Sequence, residues 1–397
     1  MKKLSERALN ITPSITLSID ALAKKMVAQG VKVINFGVGE PDFDTPQNIA
    51  LAGIAAINKG ETRYTPAAGT ESLRQAICDK LKQDNGLSYL PSQIVVSNGA
   101  KHSLYNALLA LCDPGDEVII PTPYWVSYAE MVKMVGAVPI FVKTREEEDF
   151  KVRLDELGAA ITSRTKAIIL NSPSNPTGMV YDRAELLPIA ALAVTNSIYV
   201  IADEIYEKLV YDEAEHVSIA SLGEEIKDLT IVINGMSKAY AMTGWRIGYT
   251  ASNANLAKAM GSLQSHATSN PNSIAQAASI EALRGSQAAL TNMVQEFAAR
   301  RLRMVELIND IPELSCRLPK GAFYVMANIS QLLGRTIAGE VIPDDATLAR
   351  VLLEKAHVAV VPGSGFGAGQ FLRLSYATSM DNIEEGLRRI RTLLQGR

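Results

Sequence analysis

Five short apolar runs in the first two thirds of the chain constrain its fold more than any other feature. Each run is rich in β-branched residues and almost continuous in apolar side chains, as expected of strands buried on both faces of a parallel sheet. Stretches with helical periodicity lie between the runs, and this alternation predicts an α/β fold with a largely parallel sheet. The predicted strands are residues 93–97, 116–121, 166–171, 198–203 and 230–234.

Polar residues follow directly after each of these predicted strands. In an open α/β sheet, ligands bind in the crevice outside the carboxyl ends of the strands. We therefore expect the residues that follow the strands to converge on one site. They are Asn98, Gly99, Ala100 and Lys101, then Tyr124 and Trp125, then the segment 171–175, then Asp203 and Tyr206, and finally Lys238.

The character of the sequence changes after about residue 285. Long amphipathic helical patterns follow, together with two strand-like segments, GAFYVMANI and QFLRLSYAT. This change predicts a large domain, residues 46–284, and a smaller α+β domain made of residues 1–45 and 285–397. We assign the N-terminal segment to the smaller domain because it precedes the first helix of the large one.

Composition and charge argue against several classes of function. The chain has 397 residues, 47% hydrophobic and 20% charged, which is enough to bury a large core. Its net charge of −3 gives no basic field that would favour nucleic acid or an anionic membrane as a partner. Cys78, Cys112 and Cys316 lie far apart, which argues against a disulfide framework or a zinc site. No apolar run is long enough to cross a membrane, so we expect a cytoplasmic protein with small-molecule ligands.

Lys238 and Arg246 stand out in the stretch GMSKAYAMTGWRIGY, residues 235–249, because no acidic residue accompanies them. A lysine at the end of a buried strand is desolvated, which lowers its pKa and makes it a nucleophile for carbonyl groups. The alternative is a solvated lysine just past a strand. Asp203 and Asn175 also have structural alternatives, since an aspartate can cap a helix and an Asn-Pro pair can form a turn.

Together these residues supply what a pyridoxal phosphate site requires. A lysine binds the cofactor aldehyde, an aspartate keeps the pyridinium nitrogen protonated, and amide or hydroxyl groups bind the ring oxygen. Lys238, Asp203, Asn175 and Tyr206 are the candidates for these tasks in this order. Arg246 can then bind the cofactor phosphate, because a guanidinium matches a phosphate bidentately.

Three further features fit the same site. The backbone N–H groups of Gly99 and Ala100 lie at a predicted helix start, where a phosphate can bind. Arg373, between two leucines, is costly to bury unless it meets an anion, and its alternative is an edge-strand arginine in solvent. Trp125 can stack on a ligand ring or belong to the core. The four histidines show no metal-ligand spacing, so we predict no metal site.

The chain resembles the fold-type I aminotransferases across nearly its whole length, most of all their bacterial aspartate and prephenate branch. The joint pattern of motifs, in this order and spacing, is far more specific than a lone glycine motif. It implies the aspartate aminotransferase-like fold of pyridoxal-phosphate-dependent transferases. The motifs are NFGVGEPDF, RYTPAAG, DPGDEVIIPTPYWVSY, NSPSNPTG, DEIYEKLVY, SKAYAMTGWRIGY, GAFY and RLSYA.

The resemblance implies roles for individual residues. Lys238 would form a Schiff base with pyridoxal 5'-phosphate and move a proton between the substrate Cα and the cofactor, with Asp203 and Tyr206 as its catalytic partners. Trp125 would stack on the cofactor ring. Tyr64 would reach the phosphate bound by the neighbouring subunit, which implies a homodimer.

The resemblance also implies how a substrate is bound. Arg373 and the backbone of Gly39 would hold the α-carboxylate, while Lys101 and Thr16 would recognise the distal carboxylate of aspartate, glutamate or prephenate. The alternative for Lys101 is a contact with phosphate or solvent. The expected substrate-binding set is Gly39, Trp125, Asn175, Arg373, Lys101 and Thr16.

The chain departs from part of this superfamily at one phosphate ligand. Many members have a hydroxyl residue three positions before the lysine, where this chain has Gly235. Ser237 stands directly before Lys238 instead, and its contact with the phosphate is left open.

The predicted reaction is amino-group transfer between aspartate and 2-oxoglutarate, with prephenate and arogenate as possible further substrates. The alternative is an aminotransferase or β-lyase that uses the same cofactor but acts on neutral or aromatic amino acids.

Overall fold

The computed structural model describes residues 2–13 and 15–396, including all side chains in these ranges except those of residues 6, 7 and 16–18. Its helices are α1 (Glu6–Leu9), α2 (Ile15–Ala28), α3 (Gln47–Asn58), α4 (Glu71–Asn85), α5 (Ala100–Leu111), α6 (Ser127–Met134), α7 (Leu154–Ala159), α8 (Arg183–Thr195), α9 (Glu224–Leu229), α10 (Ala254–Ala267), α11 (Ser273–Arg284), α12 (Ala288–Asn309), α13 (Asp345–Val351) and α14 (Met380–Leu394). None of the helices in this part of the chain is long and apolar enough to cross a membrane, and the predicted location stays a prediction.

The strands of the same residues are short. They are β1 (Ile34–Asn35), β2 (Ile94–Ser97), β3 (Glu117–Thr122), β4 (Val138–Lys143), β5 (Thr165–Asn171), β6 (Tyr199–Asp203), β7 (Thr230–Gly235), β8 (Gly248–Ala251), β9 (Ser315–Cys316), β10 (Tyr324–Asn328), β11 (Thr336–Ile337), β12 (Glu340–Val341), β13 (Val358–Ala359), β14 (Val361–Pro362) and β15 (Phe371–Ser375).

Seven of these strands form the central sheet, in the order β2-β8-β7-β6-β5-β3-β4. The pairs from β4 to β7 are all parallel, whereas β8 runs antiparallel to both of its neighbours. The five predicted strands are confirmed as β2, β3, β5, β6 and β7, and the α/β fold with a mostly parallel sheet is confirmed with them.

Helices cover both faces of this sheet, which explains the unbroken apolar runs. Successive side chains of a strand point to opposite faces. In β3, Val118 and Ile120 pack in one apolar cluster with residues of α5 and α10, while Ile119 packs in another with residues of α8. Burial on both faces removes the alternation of polar and apolar residues that a half-exposed strand would show.

Two strands of the central sheet were not predicted, β4 and β8. Strand β4 lies at the edge, and Val138 and Phe141 are about half exposed, so the strand lacks a buried pattern. Strand β8 has only four residues and begins with a glycine. A Cβ atom on Gly248 would lie 2.1 Å from the amide nitrogen of Ala100, so only glycine lets β8 pass this close to the start of α5.

A second, antiparallel sheet has the order β14-β15-β10-β9 and packs against α12 and α14. Strand β1 pairs in parallel with β13, placing Ile34 opposite Val358, and Phe36 is buried in the same core. The expected packing of the N-terminal segment with the C-terminal part is therefore confirmed for residues 34–36. The domain boundaries, 46–284 against 1–45 and 285–397, stay a prediction.

Candidate active site

One cavity of about 620 Å³ lies where the carboxyl ends of β5, β6 and β7 face β10 and β15 of the second sheet. The topology explains why the segments that follow β2, β3, β5, β6 and β7 meet there, because these strands run in the same direction and end at one edge of the sheet. The cavity is lined by eleven of the predicted site residues: Gly39, Ala100, Lys101, Trp125, Asn175, Asp203, Tyr206, Ser237, Lys238, Arg246 and Arg373.

Lys238 follows β7 and lies in the cavity. Its Nζ donates a hydrogen bond of 2.5 Å to the carbonyl oxygen of Gly39. Burial lowers the pKa of the Lys238 amine to about 8, and the positive charges of Arg246 and Arg373 act in the same direction. An amine with this pKa is partly uncharged near neutral pH, as a nucleophile or proton acceptor must be.

Asp203 ends β6 and is buried beside the cavity. The hydroxyl of Tyr128 donates to its Oδ2 at 2.7 Å, and the backbone N–H of Ile205 donates to its Oδ1 at 3.3 Å. Burial raises the pKa of the Asp203 carboxyl to about 6, although the hydrogen bond from Tyr128 opposes this. A cationic N–H partner would stabilise the charged form of such a carboxylate.

Tyr206 joins the two sheets at the wall of the cavity. Its hydroxyl oxygen lies 2.9 Å from that of Tyr324, which begins β10, and both side chains are buried. In a pair of hydroxyl groups one donates to the other, so the second keeps a proton for another acceptor. The pair can therefore donate one hydrogen bond to a ligand.

Arg373 lies in the middle of β15 and is only 2% exposed, so the alternative of a solvated edge-strand arginine is wrong. Its Nη1 donates to Oδ1 of Asn175 at 3.0 Å and its Nη2 to the carbonyl oxygen of Gly37 at 2.8 Å. Its Nε is buried and has no hydrogen-bond partner among the residues that the structure describes. Both acceptors are neutral, and burial lowers the pKa of this guanidinium. Because a buried charge without a counter-ion is unfavourable, this position favours an anionic ligand.

A second group of cations surrounds the start of α5. Gly99 precedes this helix with a φ of 88°, and a Cβ atom there would lie 2.4 Å from Nη2 of Arg246. Lys101 is exposed as a residue, but partial desolvation of its ammonium at the cavity wall, and secondly the charge of Arg246, lower its pKa. Neither cation forms an ion pair with a side chain in the described ranges. A helix N-terminus beside two free cations is suited to an anion such as phosphate.

Trp125 lines the cavity and packs at the edge of the core at the same time. Its ring meets Tyr128 edge-on at 5.4 Å, and Nζ of Lys101 lies 4.7 Å from its ring centroid. The indole is thus available to a ligand ring in the cavity, and its stacking role stays a prediction.

Three residues with a predicted role do not line the cavity, and neither do Asn98 and Tyr124, which were also expected to converge on the site. Gly99 contributes through its backbone at the helix start, as described. Tyr64 is 91% exposed, and its predicted contact with a neighbouring subunit stays a prediction. The side chain of Thr16 lies outside the described residues, so its predicted role cannot be placed.

Gly235 stands where many members of the superfamily have a hydroxyl residue, and the reason is steric. This residue pairs with Gly248 across β7 and β8, and a Cβ atom on it would lie 2.7 Å from the carbonyl oxygen of Ile247. A serine or threonine would not fit there. Ser237 is buried and lines the cavity, so the hydroxyl beside Lys238 is the one that this chain can offer.

Several residues of the site were missed by sequence reasoning. Tyr128 follows Trp125 by three residues, one helical turn, and this spacing could have suggested that both face the same site. Tyr324 lies within the GAFY motif, but nothing local shows that it meets Tyr206. Glu40 accepts a hydrogen bond from the hydroxyl of Thr243 at 2.7 Å, a contact between residues 203 positions apart.

Fold and cavity together define an α/β enzyme of the aspartate aminotransferase-like fold, with a low-pKa lysine and a buried carboxylate at the strand ends. Residues 31–390 match the family model described as aminotransferase class I and II. The chain belongs to the class I and II aminotransferase family.

Relatives and solved structures of similar proteins agree with this assignment. The chain is 50% identical over 387 residues to an aspartate aminotransferase from Bacillus sp. (strain YM-2), covering 98% of each chain. It is 45% identical over 395 residues to an aspartate/prephenate aminotransferase from Nitrosomonas europaea, covering 99% of this chain and 100% of the relative.

Two solved structures show the same fold. That of the aspartate aminotransferase from Rhizobium meliloti superimposes with a TM-score of 0.96 at 44% identity, covering 100% of this chain and 99% of the other. That of the Thermus thermophilus aspartate aminotransferase with maleate gives a TM-score of 0.94 at 42% identity, covering 99% of this chain and 100% of the other.

Proposed function

We propose that this protein is a pyridoxal-phosphate-dependent aminotransferase that moves the amino group between aspartate and 2-oxoglutarate, with prephenate and arogenate as further substrates. The observation that carries the proposal is Arg373, a buried guanidinium in the cavity whose partners are both neutral. Every amino acid and 2-oxo acid supplies the carboxylate that this cation needs. The names of the similar proteins from Bacillus and Nitrosomonas support the same reaction.

The residues of the cavity fit pyridoxal phosphate at its reactive end and its ring. Lys238, with a pKa of about 8, would bind the aldehyde, and the buried carboxylate of Asp203 would pair with the ring nitrogen. With Tyr324 donating to Tyr206, the Tyr206 hydroxyl keeps a proton to donate to the ring oxygen. Asn175 uses its Oδ1 for Arg373, which leaves its Nδ2 as a second donor.

The start of α5 fits the phosphate. The N–H groups of Gly99 and Ala100 lie at the helix N-terminus, and Arg246 occupies the space that a side chain at residue 99 would fill. Glycine at this position therefore keeps the guanidinium and the helix start together. Ser237 and, from a neighbouring subunit, Tyr64 would complete the phosphate ligands.

When bound, the cofactor supplies an aldehyde that takes up an amino group and a ring that accepts electrons. The protein contributes position and proton transfer. The Lys238 amine would take a proton from the substrate Cα and deliver it to the cofactor carbon that carries the aldehyde, and the carbonyl oxygen of Gly39 accepts a hydrogen bond from its Nζ. Asp203 stabilises the positive charge of the ring nitrogen, and Arg373 orients the substrate through its α-carboxylate.

Lys101 supports a preference for dicarboxylates. Lys101 is a cation on the cavity wall that forms no ion pair among the described residues, and Arg246 with the start of α5 can bind the phosphate without it. The similar Thermus thermophilus protein was solved with maleate, which is a dicarboxylate. A distal carboxylate at Lys101 would distinguish aspartate and glutamate from neutral donors, which the alternative function would prefer.

The exposed face of α3 supports a homodimer. Leu51, Ile54 and Ile57, spaced three apart on this helix, are each about half exposed, and Tyr64 follows a few residues later. Apolar side chains at this spacing form one stripe on a helix, which a second copy of the chain would cover. The same contact would carry Tyr64 towards the partner's phosphate site.

Kinetics with matched donors test the reaction directly. Aspartate and asparagine differ little in shape, but only aspartate has a distal carboxylate. With 2-oxoglutarate as acceptor we expect kcat/KM for aspartate to exceed that for asparagine by about tenfold or more, since hydrogen bonds to charged groups contribute about 1.5–3 kcal/mol. Higher kcat/KM for alanine or phenylalanine, or release of ammonia in place of amino transfer, would favour the alternative function.

A further inference from the structure

A second polar cluster lies on the far side of the segment that follows β6. Within residues 203–207, Asp203 and Tyr206 line the cavity, whereas Glu204 and Glu207 do not. These two glutamates are nevertheless 3% and 7% exposed. Carboxylates are almost never buried this deeply unless they are paired. The burial of these two carboxylates directly behind the candidate catalytic groups therefore needs an explanation in terms of their partners.

Glu207 is paired with an ammonium group from α4. Lys80 forms an ion pair with its carboxylate and donates to Oδ1 of Asn85 at 2.7 Å, while Nδ2 of Asn85 donates to Glu207 Oε2 at 3.0 Å. Burial raises the pKa of Glu207, but Lys80 and His216 outweigh it and bring the value to about 2. Glu207 is therefore ionised and held in place by α4.

Glu204 is paired with a histidine. The hydroxyl of Ser218 donates to its Oε1 at 2.6 Å, and Nε2 of His216 lies 3.2 Å from its Oε2. The side chain of His216 is 6% exposed, and its buried Nδ1 has no hydrogen-bond partner within residues 2–13 and 15–396. Burial lowers the pKa of His216, but Glu204 and Glu207 outweigh this, and the net change is a raised pKa.

The cluster is balanced in charge when His216 is protonated. Glu204 and Glu207 then face the His216 imidazolium and the Lys80 ammonium, while Asp84, which lies 3.7 Å from Lys80, is paired with Lys208 at 2.8 Å. Ligand atoms of Glu204, Glu207 and His216 lie within 4.8 Å of one another, which a metal ion could use. Because Lys80 already neutralises Glu207, the chain's own cations satisfy the cluster, and no metal is needed.

We propose that His216 is a positioning residue for Asp203 and Tyr206, because with Lys80 it neutralises the carboxylates behind them and holds the segment 203–207 in place. The proposal rests on the proposed pyridoxal phosphate site. Without the imidazolium, Glu204 would be a buried unpaired charge next to Asp203. A like charge disfavours an ionised carboxylate, so Asp203 would bind the cofactor ring nitrogen more weakly.

Four forms of the protein test this on the full chain without cofactor: wild type, His216→Gln, the double variant Glu204→Gln/His216→Gln, and His266→Gln as a matched control. His266 is exposed near the end of α10 and does not line the cavity. The Kd for pyridoxal phosphate is measured by absorbance titration, and the Tm of each form by circular dichroism.

His216→Gln is expected to raise the Kd about tenfold, since a change of one pKa unit corresponds to a factor of ten. The double variant removes the unpaired charge as well and is expected to return the Kd to within about threefold of wild type. His266→Gln should leave it within about twofold. Loss of packing alone would not be repaired by a second substitution, so the rescue distinguishes positioning by charge from a purely structural role.

The inference is overturned if His216→Gln binds the cofactor as wild type does, or if the double variant binds as weakly as the single one. Should His216→Gln fail to fold, the double variant alone decides, because it is expected to fold and to bind within about threefold. Wild-type protein that does not bind pyridoxal phosphate at all would instead contradict the proposed function.

Discussion

Arg373 and Lys101 are both cations of the same cavity, but they are held in opposite ways. Arg373 is buried in β15, donates to two neutral acceptors and has its guanidinium 4.4 Å from the ring centroid of Tyr324. Lys101 is exposed on the first turn of α5, and its ammonium lies 4.7 Å from the centroid of the Trp125 ring. A rigidly held cation suits the α-carboxylate, which all substrates share. A flexible cation tolerates substrate side chains of different length.

This contrast divides the cavity into a buried end and an exposed end. The buried end contains Arg373, Lys238 and Asp203, and substitution of these residues should reduce turnover of every substrate. The exposed end contains Lys101, and substitution of this residue should change only the preference among substrates. The following predictions test this division.

The largest effect is expected at Lys238. Lys238→Ala removes the group proposed to bind the aldehyde and transfer the proton, and we expect the rate to fall by at least about 10⁴-fold. Steady-state turnover of aspartate with 2-oxoglutarate measures this, and added methylamine should restore a trace. Lys258→Ala, an exposed lysine on α10, serves as the control and should be as active as wild type. Near-normal multiple turnover by Lys238→Ala would end the assignment of this lysine.

Asp203→Ala should have the next largest effect. Loss of a buried charged partner typically costs about 3–5 kcal/mol, so we expect kcat to fall by roughly two to four decades while some cofactor remains bound. Asp203→Asn keeps the size of the side chain and should show a similar loss, because the charge is what matters. Asp155→Ala, on the surface, is the control. If the kcat of both Asp203 variants falls by the same factor with all donors, the buried end behaves as one unit. If kcat falls in neither variant, Asp203 has another role.

Lys101→Ser should have a smaller and selective effect. We expect kcat/KM for aspartate to fall by roughly one to two decades, because a hydrogen bond to a charged group contributes about 1.5–3 kcal/mol, and that for alanine or aromatic donors to stay nearly unchanged. The same donor panel in wild type is the reference. Equal losses for acidic and neutral donors would mean that Lys101 serves the cofactor or the fold, and the contrast with Arg373 would disappear.

The smallest effect is expected when two inactive or weakened chains are mixed. In a symmetric dimer whose sites are shared, a Lys238→Ala chain paired with a Tyr64→Phe chain contains one site free of both changes. Random mixing at equal amounts should then restore about a quarter of the intact sites. Activity measured before and after subunit exchange tests this. A protein that is monomeric and fully active after dilution would contradict the shared site.

Sequence reasoning located the residues of the buried end better than the residues that hold them in place. Lys238 and Asp203 follow apolar runs, and parallel strands bring such positions together whatever the details of packing. Gly37, Tyr324 and His216 follow no such rule. The contact of Arg373 with Gly37 joins residues 336 positions apart, and that of Tyr206 with Tyr324 joins residues 118 apart.

The missed strands have the same explanation. The buried runs of β3 and β5 are visible locally because both faces are covered. Strand β8 is only four residues long, and its glycine is required by a neighbouring helix start rather than by its own sequence pattern. Whether a short segment becomes a strand then depends on the two strands between which it lies.

The sequence by itself determined the parallel sheet, its order of strand-end residues along the chain and the identity of the chemical groups that follow those strands. These features depend on periodicity and composition, which are local. Only the tertiary structure decided that Arg373 is buried with neutral partners, that Tyr128 holds Asp203, and that a charged cluster lies behind the site. Burial and pairing of charges depend on distances between segments far apart in the chain, and it is these distances that set the pKa values of Lys238 and Asp203.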